Sequence, residues 1–269
     1  MNTAILVVSF GTSYKDTLKK NIEALEKDIQ KNFPEYEVRR AFTSGFIIKK
    51  LKETMNIEID NVETALEKLK NDGYERVVCQ PTHIMNGFEY EKFKTMAESK
   101  KHMFKDIVIG EPLLYGTKDN QKIVDCLKCE FENNNDNNAI VFMGHGTGHP
   151  ANSIYAAIDY MMKDRGFKNG FMGTVEGYPE VESVISALKR ESYKDVILTP
   201  FMLVAGDHAV NDMAGDEEDS WKNIFEKEGF NVNCIIKGLG EYNSIRKLYI
   251  DKVKNILNWC IINIYIVPI

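Results

Sequence analysis

The feature that most constrains the fold is a repetition. AILVVSFGT at residues 4–12 returns as AIVFMGHGT at 139–147. A longer block, YERVVCQPTHIMNGFE at 74–89, returns as YKDVILTPFMLVAGDH at 193–208, with Pro81 over Pro200 and Gly87 over Gly206. Between these blocks, TSGF (43–46) is loosely matched by VEGY (175–178). Blocks repeated in the same order point to duplication, and the period is far too long for a solenoid. Such a chain is expected to build one architecture twice.

Within each copy, short apolar runs alternate with amphipathic stretches. Ala4 to Val8 reads as a buried strand, and Leu18, Ile22, Leu25, Ile29 and Phe33 then recur at helical spacing. Strands are predicted near 36–42, 75–80 and 106–109, and again near 139–143, 170–174, 195–200 and 231–236, with helices between them. This alternation predicts an α/β fold of two similar parallel-sheet halves facing a central cleft. The asparagine-rich ENNNDNN ending at Asn138 lacks apolar periodicity and reads as the linker. The halves are therefore placed at 1–132 and 139–260, the second carrying the candidate metal ligands.

Composition removes several function classes. A net charge of −6, with basic and acidic residues interspersed, argues against a nucleic-acid surface. No apolar run has the length of a membrane span, and the N-terminus has no basic leader, so a cytoplasmic protein with no membrane partner is expected. The five cysteines are scattered, and the single CxxC at Cys126 and Cys129 has no second pair, so ordinary reduced thiols are expected. The apolar tail WCIINIYIVPI is too short to span a membrane; a docking strand is one reading, and no function is assigned to it.

Where the two copies differ, chemistry enters. His145 stands where the first copy has Phe10, Glu176 where it has Ser44, and His208 where it has Glu89. Each lies beyond the C-terminal end of a predicted strand, the edge at which open parallel sheets bind ligands. Alone, each has a plainer reading: a turn histidine, a helix-start carboxylate, a surface histidine. Together, two imidazoles and a carboxylate form a divalent-metal set that leaves coordination positions open.

Other motifs say less. His145 and His149 are four apart, but Gly146, Gly148 and Pro150 break any helix between them, so they are not a zincin pair. SFGTS and GHGTG match neither a P-loop nor GxGxxG, and Ser9 lacks the GxSxG elbow. No nucleotide or organic cofactor is expected. His83 either lines the cleft or packs, and Asp216 to Asp219 reads as the start of a solvated helix.

SFGTS, QPTHIMNGFEYEK, MGHGT, TVEGYP and LTPFMLVAGDHAVNDMAGD resemble the anaerobic sirohydrochlorin cobaltochelatases, class II chelatases of the ferrochelatase-like superfamily. The resemblance runs to about Trp259. It implies two ferrochelatase-like halves, ATP-independent insertion of Co²⁺ into sirohydrochlorin in cobalamin biosynthesis, and a His–Glu–His metal site. Those ligands fall on His145, Glu176 and His208, the positions already singled out by the repeat. Iron or nickel insertion by the same chemistry, and non-catalytic tetrapyrrole or metal binding, are the competing readings.

Insertion requires the loss of two pyrrole N–H protons and stepwise shedding of the ion's ligands. His145 or His208 is the expected proton acceptor, because imidazole titrates near neutrality. Glu89 is assigned a second carboxylate role in ion delivery or proton removal. Phe10 is assigned an apolar wall for the macrocycle, and loop amides near Thr12 and Thr147 are expected to hold its carboxylate rim. The sequence leaves oligomeric state open.

Overall fold

The computed structural model describes residues 1–132 and 137–265, with side chains described as far as residue 258. Of the expected linker, residues 133–136 lie outside the described residues, and Asn138 already belongs to a strand. The chain divides into two compact units: Met1–Leu113 together with the chain from Arg246 onward, and Leu114–Ile245.

The first unit holds β1 (Thr3–Ser9), β2 (Glu37–Phe42), β3 (Arg76–Pro81) and β4 (Asp106–Ile109), all parallel in the order β2-β1-β3-β4. Its helices are α1 (Lys15–Thr17), α2 (Glu23–Asn32), α3 (Gly45–Met55), α4 (Val62–Asn71) and α5 (Phe88–Ser99). The second unit holds β5 (Asn138–Gly144), β6 (Gly170–Thr174), β7 (Asp195–Pro200) and β8 (Asn231–Cys234), parallel in the order β6-β5-β7-β8. Its helices are α6 (Thr117–Phe131), α7 (Ser153–Asp164), α8 (Val181–Arg190) and α9 (Trp221–Lys227), and α10 (Asn243–Tyr265) begins there.

The repeated sequence blocks occupy equivalent places. Val8 lies opposite Pro81 in the first sheet, and Met143 lies opposite Pro200 in the second. Residues Ala4 to Val8 and Ala139 to Met143 are buried throughout, as strands covered on both faces must be. Around the first sheet, Val62, Ala65, Leu66 and Leu69 of α4 and Tyr90, Phe93 and Ala97 of α5 close one core. Around the second, Val184, Ile185 and Leu188 of α8 join Trp221 and Phe225 of α9.

The helical periodicity from Leu18 to Phe33 is real, but it is not one α-helix. A π-helical turn, Leu18–Ile22, separates α1 from α2. Within it, Asn21 Nδ2 donates to Thr17 O at 2.9 Å, a side-chain bond to the backbone that competes with the regular ladder. The Asp216–Asp219 run precedes its helix rather than opening it, because Ser220 Oγ accepts from Asn223 N (3.3 Å) and caps α9.

The compact units cut the chain differently from the 1–132 and 139–260 division. Helix α6, which ends the first copy, packs in the second unit, where Phe131 meets Phe142 with ring centroids 5.4 Å apart. Helix α10, which ends the second copy, joins the first unit from Arg246 onward. There Tyr249 Oη donates to Thr82 O (2.8 Å) and Arg246 pairs with Asp28 (2.6 Å). The sequence division counts copies, and it remains our proposal for the duplicated segments; the final helix of each copy covers the other copy's sheet. Residues 259–265 continue α10, so the docking-strand reading of the tail is replaced by helix up to Tyr265, and 266–269 lie outside the described residues. Among the described residues, no helix is long and apolar enough to cross a membrane.

Candidate metal centre

His145 immediately follows β5, at the carboxyl edge of the second sheet. Its loop is stitched to the turn carrying Glu176: Val175 N donates to Gly144 O (3.0 Å), Glu176 N to His145 O (2.8 Å), and Asn152 Nδ2 to Tyr178 O (2.8 Å). The glycines around His145 make this approach possible. Gly146 has φ +81°, and a Cβ there would sit 2.6 Å from the carbonyl carbon of Glu176. A Cβ on Gly144 would strike the Tyr155 ring at 2.3 Å. The Tyr155 hydroxyl accepts from Gly146 N (3.4 Å), and burial pushes its phenol up to about 12, which keeps it protonated.

Gly146→Ala should therefore cost about 2–4 kcal/mol of stability, the sum of left-handed backbone strain and overpacking. It should also displace the Glu176 turn. Gly148→Ala is the control, since a Cβ there meets nothing within 4 Å. Urea unfolding of the two variants checks this; equal midpoints would refute the packing argument.

His208 lies eight residues past the end of β7 and enters a π-helical turn, Ala209–Met213. Its ring meets that of His145 edge to face, with centroids 4.5 Å apart. The nitrogens of the two rings are committed in a similar way. His145 Nδ1 is 2.8 Å from Gly146 O, which can only accept, so Nδ1 carries the hydrogen. His208 Nδ1 is 2.5 Å from Asp212 Oδ2 and donates to that carboxylate. In each neutral ring, Nε2 is then the atom with a lone pair for an ion.

The carboxylate arm is placed differently. Glu176 Oε2 is 3.9 Å from His145 Nδ1, the nitrogen already bonded to Gly146, and the Glu176 side chain is 61% exposed. Among the described residues, no three His, Cys, Asp or Glu side chains are gathered closely enough to hold one ion as they stand. The imidazoles meet; Glu176 has to change rotamer to join the Nε2 side, a fast motion for an exposed side chain.

The remaining expected residues fall as follows. Glu89 is in the first turn of α5, where Oε2 accepts from Thr43 Oγ1 (3.1 Å) and Oε1 lies 3.8 Å from Lys92 Nζ. Phe10 follows β1 and is 47% exposed, open to an apolar contact. Thr12 is buried and its hydroxyl accepts from Tyr14 N (3.2 Å). Thr147 repeats that turn, its hydroxyl accepting from His149 N (3.1 Å). The Thr147 amide is spent on Asn152 Oδ1 (3.0 Å), so it is not among the amides free for a carboxylate rim. His149 Nδ1 accepts from Ala151 N (3.1 Å) and caps a short 3₁₀ turn, away from any zincin-like pairing.

Sequence reasoning missed Asp212 and Tyr155. Asp212 stands four residues after His208, a helical spacing that could have flagged it within GDHAVNDMAGD. Tyr155 had no such signal, because its role depends on where α7 lies against β5.

Comparisons with known proteins identify the family of the chain. The cobalt chelatase (CbiK) family matches residues 3–258. A protein of Salmonella typhimurium named sirohydrochlorin cobaltochelatase is 42% identical over 261 residues, covering 97% of this chain and 98% of its own. The sirohydrochlorin cobaltochelatase CbiKC of Nitratidesulfovibrio vulgaris is 30% identical over 250 residues, covering 92% of this chain and 88% of its own. Among solved structures, SirB from Bacillus subtilis with Fe³⁺ shares the fold, with a TM-score of 0.65 at 15% identity and 95% of each chain covered. The duplicated α/β architecture and a family match running from β1 into α10 lead to one conclusion: this chain belongs to the CbiK family of cobalt chelatases.

Proposed function

We propose that this protein inserts Co²⁺ into sirohydrochlorin without ATP, as a metal chelatase of cobalamin biosynthesis. The observation that carries the reading is the pair His145 and His208, edge to face at 4.5 Å, each with Nδ1 engaged. Two relatives named for the same activity support it. His145, Glu176 and His208 are the proposed ligands of the incoming ion.

The chemistry asks for a loose grip. The ion replaces two pyrrole protons, so it must leave its protein ligands one at a time while a base receives each proton. Three protein ligands leave coordination positions open for the macrocycle nitrogens, and an exposed glutamate is the arm most easily released. Imidazole suits both the ion and the proton, since its neutral form binds either. Glu89 is assigned ion delivery or proton removal, on the strength of its repeat equivalence to His208. Phe10, exposed at the end of β1, is assigned contact with the apolar face of the macrocycle.

The test mixes protein, sirohydrochlorin and Co²⁺ and follows the absorption spectrum against a protein-free control, with Fe²⁺ and Ni²⁺ in competing samples. Acceleration with Co²⁺ is expected, and its absence overturns the reading. His145→Ala and His208→Ala should each weaken Co²⁺ binding by more than ~100-fold, beyond what loss of a supporting residue costs. Glu89→Ala should keep cobalt affinity and slow insertion by about 10²-fold, the low end for a lost acid–base group.

A further inference from the structure

We infer that Asp212 is a positioning residue for His208, fixing which ring nitrogen faces the metal and strengthening that nitrogen as a donor. The inference rests on the proposed metal-binding role of His208 and goes beyond it.

The two imidazoles are backed by different groups. His145 Nδ1 donates to a neutral carbonyl, Gly146 O, whereas His208 Nδ1 donates to a carboxylate at 2.5 Å. A carboxylate behind an imidazole holds the Nδ1–H tautomer, stops the ring from flipping, and pushes electron density toward Nε2. The Asp212 carboxylate makes its only described ion pair with His208, so its charge is not committed to a neighbouring lysine or arginine.

The backbone holds the two groups together. Both lie on the same short helical run, four residues apart, and its π-helical portion spans Ala209–Met213. The run closes where Gly215 N donates to Asn211 O (3.0 Å). A Cβ on Gly215 would stand 2.3 Å from that same carbonyl oxygen, so the closure requires glycine there. Asn211 Nδ2 also donates to Asp207 Oδ1 (3.1 Å), bracing the other side of the turn. The division of labour between the imidazoles follows: His208 is the firmer ligand, and His145 releases the ion before it.

A double-mutant cycle read by Co²⁺ titration and the visible d–d absorption of the bound ion tests this. Asp212→Ala should weaken Co²⁺ binding about 10–100-fold, the range for removing a hydrogen-bonded partner of a ligating histidine. Asp212→Asn, which keeps an acceptor oxygen but not the charge, should fall between wild type and alanine. In a His208→Ala background, Asp212→Ala should have no further effect, while in His145→Ala it should cost the same factor again. Wild-type affinity in Asp212→Ala overturns the inference. So does an equal loss with and without His208, because Asp212 would then act as a ligand or a bulk charge. These outcomes leave the proposed function intact; that reading fails instead if His208→Ala itself binds Co²⁺ like wild type.

Discussion

His83→Met should raise the unfolding midpoint at pH 7 and remove much of the fold's acid sensitivity between pH 6.5 and 4. The His83 ring is stacked on Phe93 (centroids 6.2 Å) and meets the edge of Tyr90 (6.4 Å). Part of the residue reaches the surface, but both ring nitrogens are enclosed and neither has a hydrogen-bond partner. Enclosure disfavours the imidazolium and brings the pKa down from 6.5 to about 4.

The sign follows from proton binding. Between those two values the unfolded chain takes up a proton that the folded chain refuses, so stability is complete above pH 6.5 and is lost as pH falls toward 4. The loss amounts to about 3 kcal/mol at full extent. At pH 7 the neutral ring still leaves polar atoms unpaired, a cost of about 1–3 kcal/mol that methionine avoids. Methionine is the natural replacement, because Met202 holds the matching position in the second copy and packs on that unit's core. Urea unfolding of both proteins at pH 7.5 and 5 decides the matter. Parallel behaviour of wild type and variant at the two pH values would sink the assignment.

A second large effect is expected at Tyr249. It is fully buried on α10, and its hydroxyl donates to Thr82 O at 2.8 Å, just past the end of β3. Burial pushes its phenol far above the ordinary range, so the hydroxyl stays a donor. Tyr249→Ala empties an aromatic site and leaves the carbonyl unpaired, costing about 4–6 kcal/mol. A domain's whole stability is about 5–15 kcal/mol, so the variant should be partly unfolded at 37 °C. Tyr249→Phe keeps the ring and should lose only about 1–3 kcal/mol. Thermal unfolding followed by circular dichroism measures both; an alanine variant within 1 kcal/mol of wild type would refute the packing argument.

The strands were legible because parallel strands covered on both faces are written as unbroken apolar runs, and Ala4 to Val8 and Ala139 to Met143 are such runs. The last strand was read as 231–236 but stops at Cys234, and Ile236 is 48% exposed. The apolar pair Ile235 and Ile236 extends the pattern past the strand end, although Ile235 N still donates to Leu198 O (2.8 Å). The exchange of α6 and α10 could not be read, since an amphipathic helix shows that it covers a sheet and not which one. At the site, the two histidines were legible as departures from the repeat, because the fold was already satisfied by Phe10 and Glu89 at the matching points. Their nitrogen assignments were not, for these depend on Gly146 O and on Asp212 across a turn. Nor does sequence pattern register the side-chain conformation that leaves the Glu176 carboxylate 3.9 Å from His145 Nδ1.

The exchanged helices give the order of synthesis a consequence for folding. Leu114–Ile245 is one uninterrupted segment, so everything that unit needs has left the ribosome once Ile245 has. The other unit is translated first but completed last, because Tyr249, Val253 and Leu257 must arrive to cover it. During that interval the earlier-made sheet carries uncovered apolar surface, the condition under which nascent chains aggregate or recruit chaperones. Vectorial synthesis thus completes the segment Leu114–Ile245 before the stretch that seals the earlier-made unit.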